Sequence, residues 1–160
     1  MSPFLEVFRA LNTAEVRYLV IGGVAAALHG VPRMTGDIDL ALSMDEPNLT
    51  RAMNAITNLG FTPRAPVEAM DFIDAVKRET WIREKSLVVF GLHRTVPIPL
   101  ELDLLAENQF NFDDAYAERE TKQIDGVAVD VLDKQRLITM KRATGRPIDL
   151  QDANALETLE

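Results

Sequence analysis

A chain of 160 residues, 47% hydrophobic and 26% charged, has the makings of one globular domain with a real core. It contains no cysteine, which excludes disulfides, thiolate catalysis and cysteine-held metals, and its two isolated histidines argue against a zinc site. A net charge of −8 argues against a surface that wraps long nucleic acid, although Lys134 to Ile148 carries five basic residues and no acidic one.

No apolar run is long enough to span a bilayer, and the first residues, MSPFLEVFRALN, lack the basic start and continuous apolar stretch of a signal peptide. Cytoplasmic residence is therefore expected. In chain order, SPFLEVFRALN reads as a helix, with Ser2 as its cap, Pro3 in the first turn, and Phe4, Leu5, Phe8 and Leu11 on one face. VRYLVIGG reads as a buried strand ending in a tight turn, and VAAALHG as a short helix closed by Gly30. His29 fits a helix-end position better than a ligand. DIDLAL is a second strand. DEPNLTRAMNAITNLG is a helix with Asp45 as a cap and Gly60 as its stop. PVEAMDFIDAVKRETWIREK reads as mostly helical. SLVVFGL and IPLELDLL are two more strands, expected side by side, with His93 and Arg94 in the loop between them. FNFDDAYAERE is a short helix or irregular. TKQIDGVAVDVL places an Asp125-Gly126 turn between two β-like runs. DKQRLITMKRAT is a helix capped by Asp133, and DLQDANALETLE starts a last helix with Asp149 as its cap. This order predicts a small mixed sheet flanked by helices, in the α/β to α+β range.

The pair Asp37 and Asp39 is the anomaly. Side chains two apart on a strand share a face, so both carboxylates project together while Ile38 and Leu40 point into a core. Adjacent carboxylates repel unless a proton or a cation intervenes. All-oxygen ligation suits magnesium or manganese and leaves room for substrate phosphates. In LELDLL, Glu101 and Asp103 alternate with leucines; beside the DIDLAL strand, either would extend the acidic cluster. Three carboxylates on neighbouring strands suit phosphoryl or nucleotidyl transfer. The plain alternative is a solvated edge strand, which the apolar LAL that follows makes less apt. Gly22 and Gly23, between strand and helix, allow close approach of an anion to a helix N-terminus; an ordinary strand-to-helix turn would look the same.

The stretch YLVIGGVAAALHGVPRMTGDIDLAL resembles the signature of the nucleotidyltransferase superfamily with the DNA polymerase β-type fold: a Gly-Gly or Gly-Ser pair, a spacer, then D-x-D, with a third acid on a later strand. Gly22 and Gly23 match the pair, Asp37 and Asp39 the metal ligands, and Asp103 the third carboxylate. The chain is similar to the small bacterial branch that includes AbiEii-like toxins, where R-x-T-x-D-I-D is typical; Arg33 and Thr35 stand in those places. The tail LITMKRATGRPIDLQDANALE resembles the same branch. Gly23 stands where many relatives carry serine, and the longer C-terminal extension of larger relatives is not expected here. The resemblance implies a nucleotidyltransferase fold over residues 1–160, with a catalytic core over 1–110 and a hairpin and helices over 111–160 packed on it.

Lys141 lies four residues after Leu137 and three after Ile138, on the apolar face of its helix. A lysine there either snorkels outward or meets an anion; its counterpart in the resemblance binds the triphosphate. Arg146 either assists or pairs with Asp149 or Asp152. Arg33 either contacts phosphate or neutralises Asp37 or Asp39.

The expectation is a magnesium- or manganese-dependent transfer of a nucleoside monophosphate from a nucleoside triphosphate to RNA such as a tRNA end, to protein or to a small-molecule hydroxyl. Asp37, Asp39 and Asp103 would be catalytic and metal-binding; Gly22, Gly23, Arg33, Thr35, Lys141 and Arg146 would bind the nucleotide. The alternative is a toxin–antitoxin component acting with a cognate partner, or a catalytically silent nucleotide-binding member of the fold. Neither the nucleotide nor the oligomeric state is legible.

Overall fold

The computed structural model describes residues 2–159. Helix α1 (Pro3–Thr13) leads into strand β1 (Tyr18–Ile21), which passes directly into helix α2 (Gly22–His29). Both glycines thus belong to the first turn of the helix rather than to a separate turn before it. Strand β2 (Asp37–Leu42) and helix α3 (Glu46–Asn58) follow. Asp45 caps α3 by accepting from the Asn48 backbone N–H at 2.9 Å, whereas Ser2 precedes α1 without a side-chain cap bond.

The stretch read as mostly helical divides into a 3₁₀ helix (Ala69–Ile73) and α4 (Ala75–Lys85), because Asp74 takes an extended conformation and starts the second piece as its cap. A two-residue strand, β3 (Thr62–Pro63), is too short to leave a pattern in the sequence. Strands β4 (Val89–Arg94) and β5 (Leu100–Leu105) form the expected neighbours. His93 and Arg94 lie on β4 and not in a loop; Arg94 is buried and pairs with Glu6 at 3.0 Å. Helix α5 (Phe112–Ala117) precedes a hairpin of β6 (Glu120–Ile124) and β7 (Val127–Val131), turned by Asp125 and Gly126, both at positive φ. Helices α6 (Lys134–Thr144) and α7 (Pro147–Thr158) end the described chain. Arg146, not Asp149, occupies the cap position of α7, since Pro147 takes the first helical position.

Among the described residues, seven strands form one mixed sheet in the order β3-β4-β5-β2-β1-β7-β6. The pairs β2–β5 and β1–β7 are parallel and the others antiparallel. The two faces differ by residue parity. Tyr18, Val20, Ile38, Leu40, Phe90, Leu92, Leu102 and Leu104 are buried on one face, with α1, α3, the 3₁₀ helix and α4. Phe8 stacks on Tyr18 with ring centres 6.0 Å apart, and Phe72 and Trp81 flank Phe90 at 4.8 and 5.6 Å. The opposite face carries Asp37, Asp39, Glu101 and Asp103, and helices α2, α6 and α7 cover it only in part. No helix among the described residues is long and apolar enough to cross a membrane.

Candidate active site

The carboxylate cluster is built by register. Strand β2 pairs with β5 so that Asp37 stands beside Glu101 and Asp39 beside Asp103. Four acidic side chains therefore project from neighbouring strands on one face, while the leucines and isoleucine between them anchor the other face in the core. Asp37 opens β2 and is exposed; Asp39 is half-buried.

Asp39 lies under the mouth of α2. Gly22 has φ +69°, and a Cβ on it would fall 2.9 Å from Asp39 Cγ and closer still to Oδ2. Backbone conformation and space both demand glycine there. A Cβ on Gly23 would lie 3.0 Å from Thr35 Oγ1 and 3.1 Å from Arg33 Cζ, so the pair of glycines brings Arg33 and Thr35 against the start of the helix. No side chain caps α2, which leaves its first-turn N–H groups available to an anion. Thr35 Oγ1 itself reaches the Asp37 carbonyl at 3.4 Å.

Burial, then the neighbouring carboxylates of Asp103 and Asp37, push the Asp39 pKa up to about 6, with Lys141 and Arg146 acting in the opposite sense. The carboxylate row is thus short of positive charge at Asp39. It is supplied further along by Arg64, whose guanidinium pairs with Glu101 and, at 2.6 Å, with Asp103 Oδ1.

A cleft of about 350 Å³ opens beside Asp39 and Asp103. Its apolar wall comes from Ile21, Val89, Leu105, Leu137 and Met140, and its polar wall from α6 and the turn after it, with Lys141, Thr144 and Arg146. Lys141 is only 4% exposed, as its place on the apolar helix face requires, and it meets anions of the protein itself: Asp152 at 2.7 Å and Asp149 at 3.6 Å. Arg146 bonds Asp149 at 2.6 Å, and Thr144 donates to the same carboxylate at 2.6 Å. Burial works to raise the Asp149 pKa, but these hydrogen bonds and the charges of Arg146 and Lys141 hold it below the usual carboxylate range. Arg33 pairs with Asp152 rather than with Asp37 or Asp39, and its Nε is buried without a hydrogen-bond partner.

The structure therefore brings Gly22, Asp39, Asp103, Lys141 and Arg146 to one cleft, with Gly23, Arg33 and Thr35 at the mouth of α2. Sequence reasoning missed Arg64 as a member of this charge network; of the two carboxylates it offered as partners for Arg146, Asp149 is the one that pairs with it. A glycine inside a strand, Gly91, was the one signal that something approaches β4 closely. Asp152, the other candidate partner of Arg146, pairs instead with Lys141 and Arg33.

Among the described residues no three carboxylate or imidazole groups converge as a ready-made ion cage, and Asp103 and Glu101 are engaged by Arg64. The donor set itself, carboxylate oxygens with Asp39 lacking a cation, has the chemistry that magnesium or manganese takes. Of these carboxylates, Asp39 and Asp103 line the cleft.

No protein-family model matches the chain, and no curated protein matches it. Solved structures do. The lincosamide antibiotic adenylyltransferase LnuA, bound to lincomycin, is 14% identical; the alignment covers 97% of this chain and 96% of that one, with a TM-score of 0.58. ANT(2")-Ia in complex with adenylyl-2"-tobramycin is 15% identical over 96% of this chain and 90% of that one, with a TM-score of 0.54. An antigenic nucleotidyltransferase-like protein from Paracoccidioides brasiliensis is 18% identical over 97% of this chain and 76% of that one, with a TM-score of 0.59. At these identities the likeness is one of fold, and the fold is that of the nucleotidyltransferases.

Proposed function

We propose that this chain is a nucleotidyltransferase that uses magnesium or manganese to move a nucleoside monophosphate from a nucleoside triphosphate to a hydroxyl. The observation that carries this reading is the register of β2 on β5, which sets Asp39 beside Asp103 beneath the mouth of α2. The adenylyltransferases among the fold neighbours support it.

The triphosphate lies against the first turn of α2, where Gly22 and Gly23 let its oxygens approach the backbone N–H groups. Arg33, with its unpartnered Nε, and Thr35 flank that turn. Asp37, Asp39 and Asp103 would hold the metal, which would supply charge neutralisation at the reacting phosphate and the leaving pyrophosphate. Asp103 orients the acceptor hydroxyl and takes its proton as the new oxygen–phosphorus bond forms. The bond between the α-phosphorus and the pyrophosphate oxygen breaks in the same step. Lys141 and Arg146 face the phosphates across the cleft and exchange a carboxylate partner for a phosphate oxygen as the donor enters.

Of the RNA, protein and small-molecule acceptors, a small molecule is the one we favour; the cleft of about 350 Å³ is the size of a compact ligand such as the nucleotide donor. The two antibiotic-modifying fold neighbours point the same way. A second reading, a nucleotide-binding protein without turnover or a toxin–antitoxin component completed by its partner, is favoured by one observation. Lys141, Arg33 and Arg146 are already paired with Asp152 and Asp149.

The test is a transfer assay with each ribonucleoside triphosphate labelled at the α-phosphate, a divalent metal and a cell extract. Label that appears in a product and is lost in the Asp37→Ala/Asp39→Ala protein is the expected outcome. Triphosphate binding without transfer from any donor would favour the second reading.

A further inference from the structure

Arg64 reaches the carboxylate row by an unusual route. It follows β3 at the edge of the sheet, and its backbone N–H bonds the Gly91 carbonyl at 3.0 Å. Its side chain then crosses over β4 at Gly91 and ends on β5, with Nη1 toward Glu101 and Nη2 toward Asp103. The crossing exists only because residue 91 has no side chain. A Cβ there would fall 2.6 Å from Arg64 Nε and closer to Cζ and Nη2. Gly91 is not at positive φ, so space is what it provides. The guanidinium is not buried: its side chain is 42% exposed, and it can swing into solvent without leaving a hole in the core.

We propose that Arg64 is a positioning residue that serves as a built-in counter-cation: it holds Asp103 and Glu101 in the absence of a divalent ion and must release Asp103 when the ion binds, so that it sets the ion affinity of the site. The proposal rests on the carboxylate reading given above. One guanidinium hydrogen-bonded to two carboxylates of one strand satisfies charges that would otherwise repel. An ion taking Asp103 as a ligand breaks one of those charge-assisted bonds and moves closer to a positive group. Removing Arg64 removes both costs.

Two substitutions reach the same end independently. Arg64→Gln deletes the charge. Gly91→Ala keeps Arg64 but evicts its guanidinium from the crossing, and the displaced atoms are the far end of a flexible side chain. The experiment is a calorimetric titration with Mn2+ at low salt of the wild type, both variants and Asp39→Asn, with circular dichroism melts to establish that each is folded. Arg64→Gln and Gly91→Ala are expected to bind Mn2+ about tenfold more tightly than the wild type, and Asp39→Asn more weakly. Unchanged or weaker binding in both Arg64→Gln and Gly91→Ala, with Asp39→Asn still impaired, overturns the role of Arg64 and leaves the metal site standing. Binding that ignores Asp39→Asn overturns the metal site and this proposal together.

Discussion

Asp39→Asn tests the electrostatics of the site without any substrate. The Asp39 pKa is pushed from its ordinary 3.8 to about 6, so the fold holds the proton more tightly than the unfolded chain does. Below about pH 4 the carboxyl is neutral in both states, and its ionisation costs the fold nothing. As the pH rises toward 6, the unfolded chain ionises freely while the folded chain resists, and stability is lost. Above pH 6 the full cost is in place. At about 1.4 kcal/mol per pH unit, the gap amounts to about 3 kcal/mol. Asparagine has nearly the same shape and no charge to desolvate. In the presence of a chelator, Asp39→Asn should therefore match the wild type near pH 4 and exceed it by about 3 kcal/mol at pH 8, or about 6–12 °C in melting temperature for a chain of this size. Urea denaturation at half-unit steps from pH 4 to 8 reads the difference directly. A difference that stays flat across this range, or an asparagine variant less stable at pH 8, would refute the reasoning.

Gly22→Ala should cost about 1–3 kcal/mol in urea denaturation, because it strains a positive φ and drives a methyl group into Asp39; Asp39→Ala in the same chain should recover the part due to the collision. Lys141→Met should cost about 3 kcal/mol at neutral pH by the same measurement, since it leaves two buried carboxylates with less compensation. Leu102→Ala should cost about 2–5 kcal/mol by removing a fully buried side chain from the strand that carries Asp103. Loss of cooperative unfolding in that variant would also scatter the carboxylates.

The elements with strong local signals were legible. The alternation in DIDLAL and LELDLL placed leucines inward and acids outward, and the sheet uses both strands that way. Asp-Gly at 125–126 announced its hairpin, and of the two readings open for Lys141, snorkelling outward or meeting an anion, the fold realises the second with anions of its own. What stayed hidden depended on distant contacts. β3 has two residues, too few for any period, and its position comes from pairing with β4. Arg94 is charged in sequence but buried in the fold because Glu6, 88 residues away, arrives beside it. The partner of Arg33 was hidden for the same reason: Asp152 lies on α7, 119 residues on, and nothing near Arg33 predicts it.

The parity of the sheet has a further consequence. On β2 and β5, Ile38, Leu40, Leu102 and Leu104 belong to the core, while Asp37, Asp39, Glu101 and Asp103 take the opposite face. A slip of β5 by one position would bring Leu102 and Leu104 out to water and turn Asp103 and Glu101 into the apolar interior. Misaligned pairings are therefore penalised twice on the same strand, and the alignment that buries the leucines also brings Asp39 level with Asp103. The geometry of the acids is in this sense proofread by the oil beneath them: no odd slip of the strand can hide its leucines and still present its carboxylates to the open face.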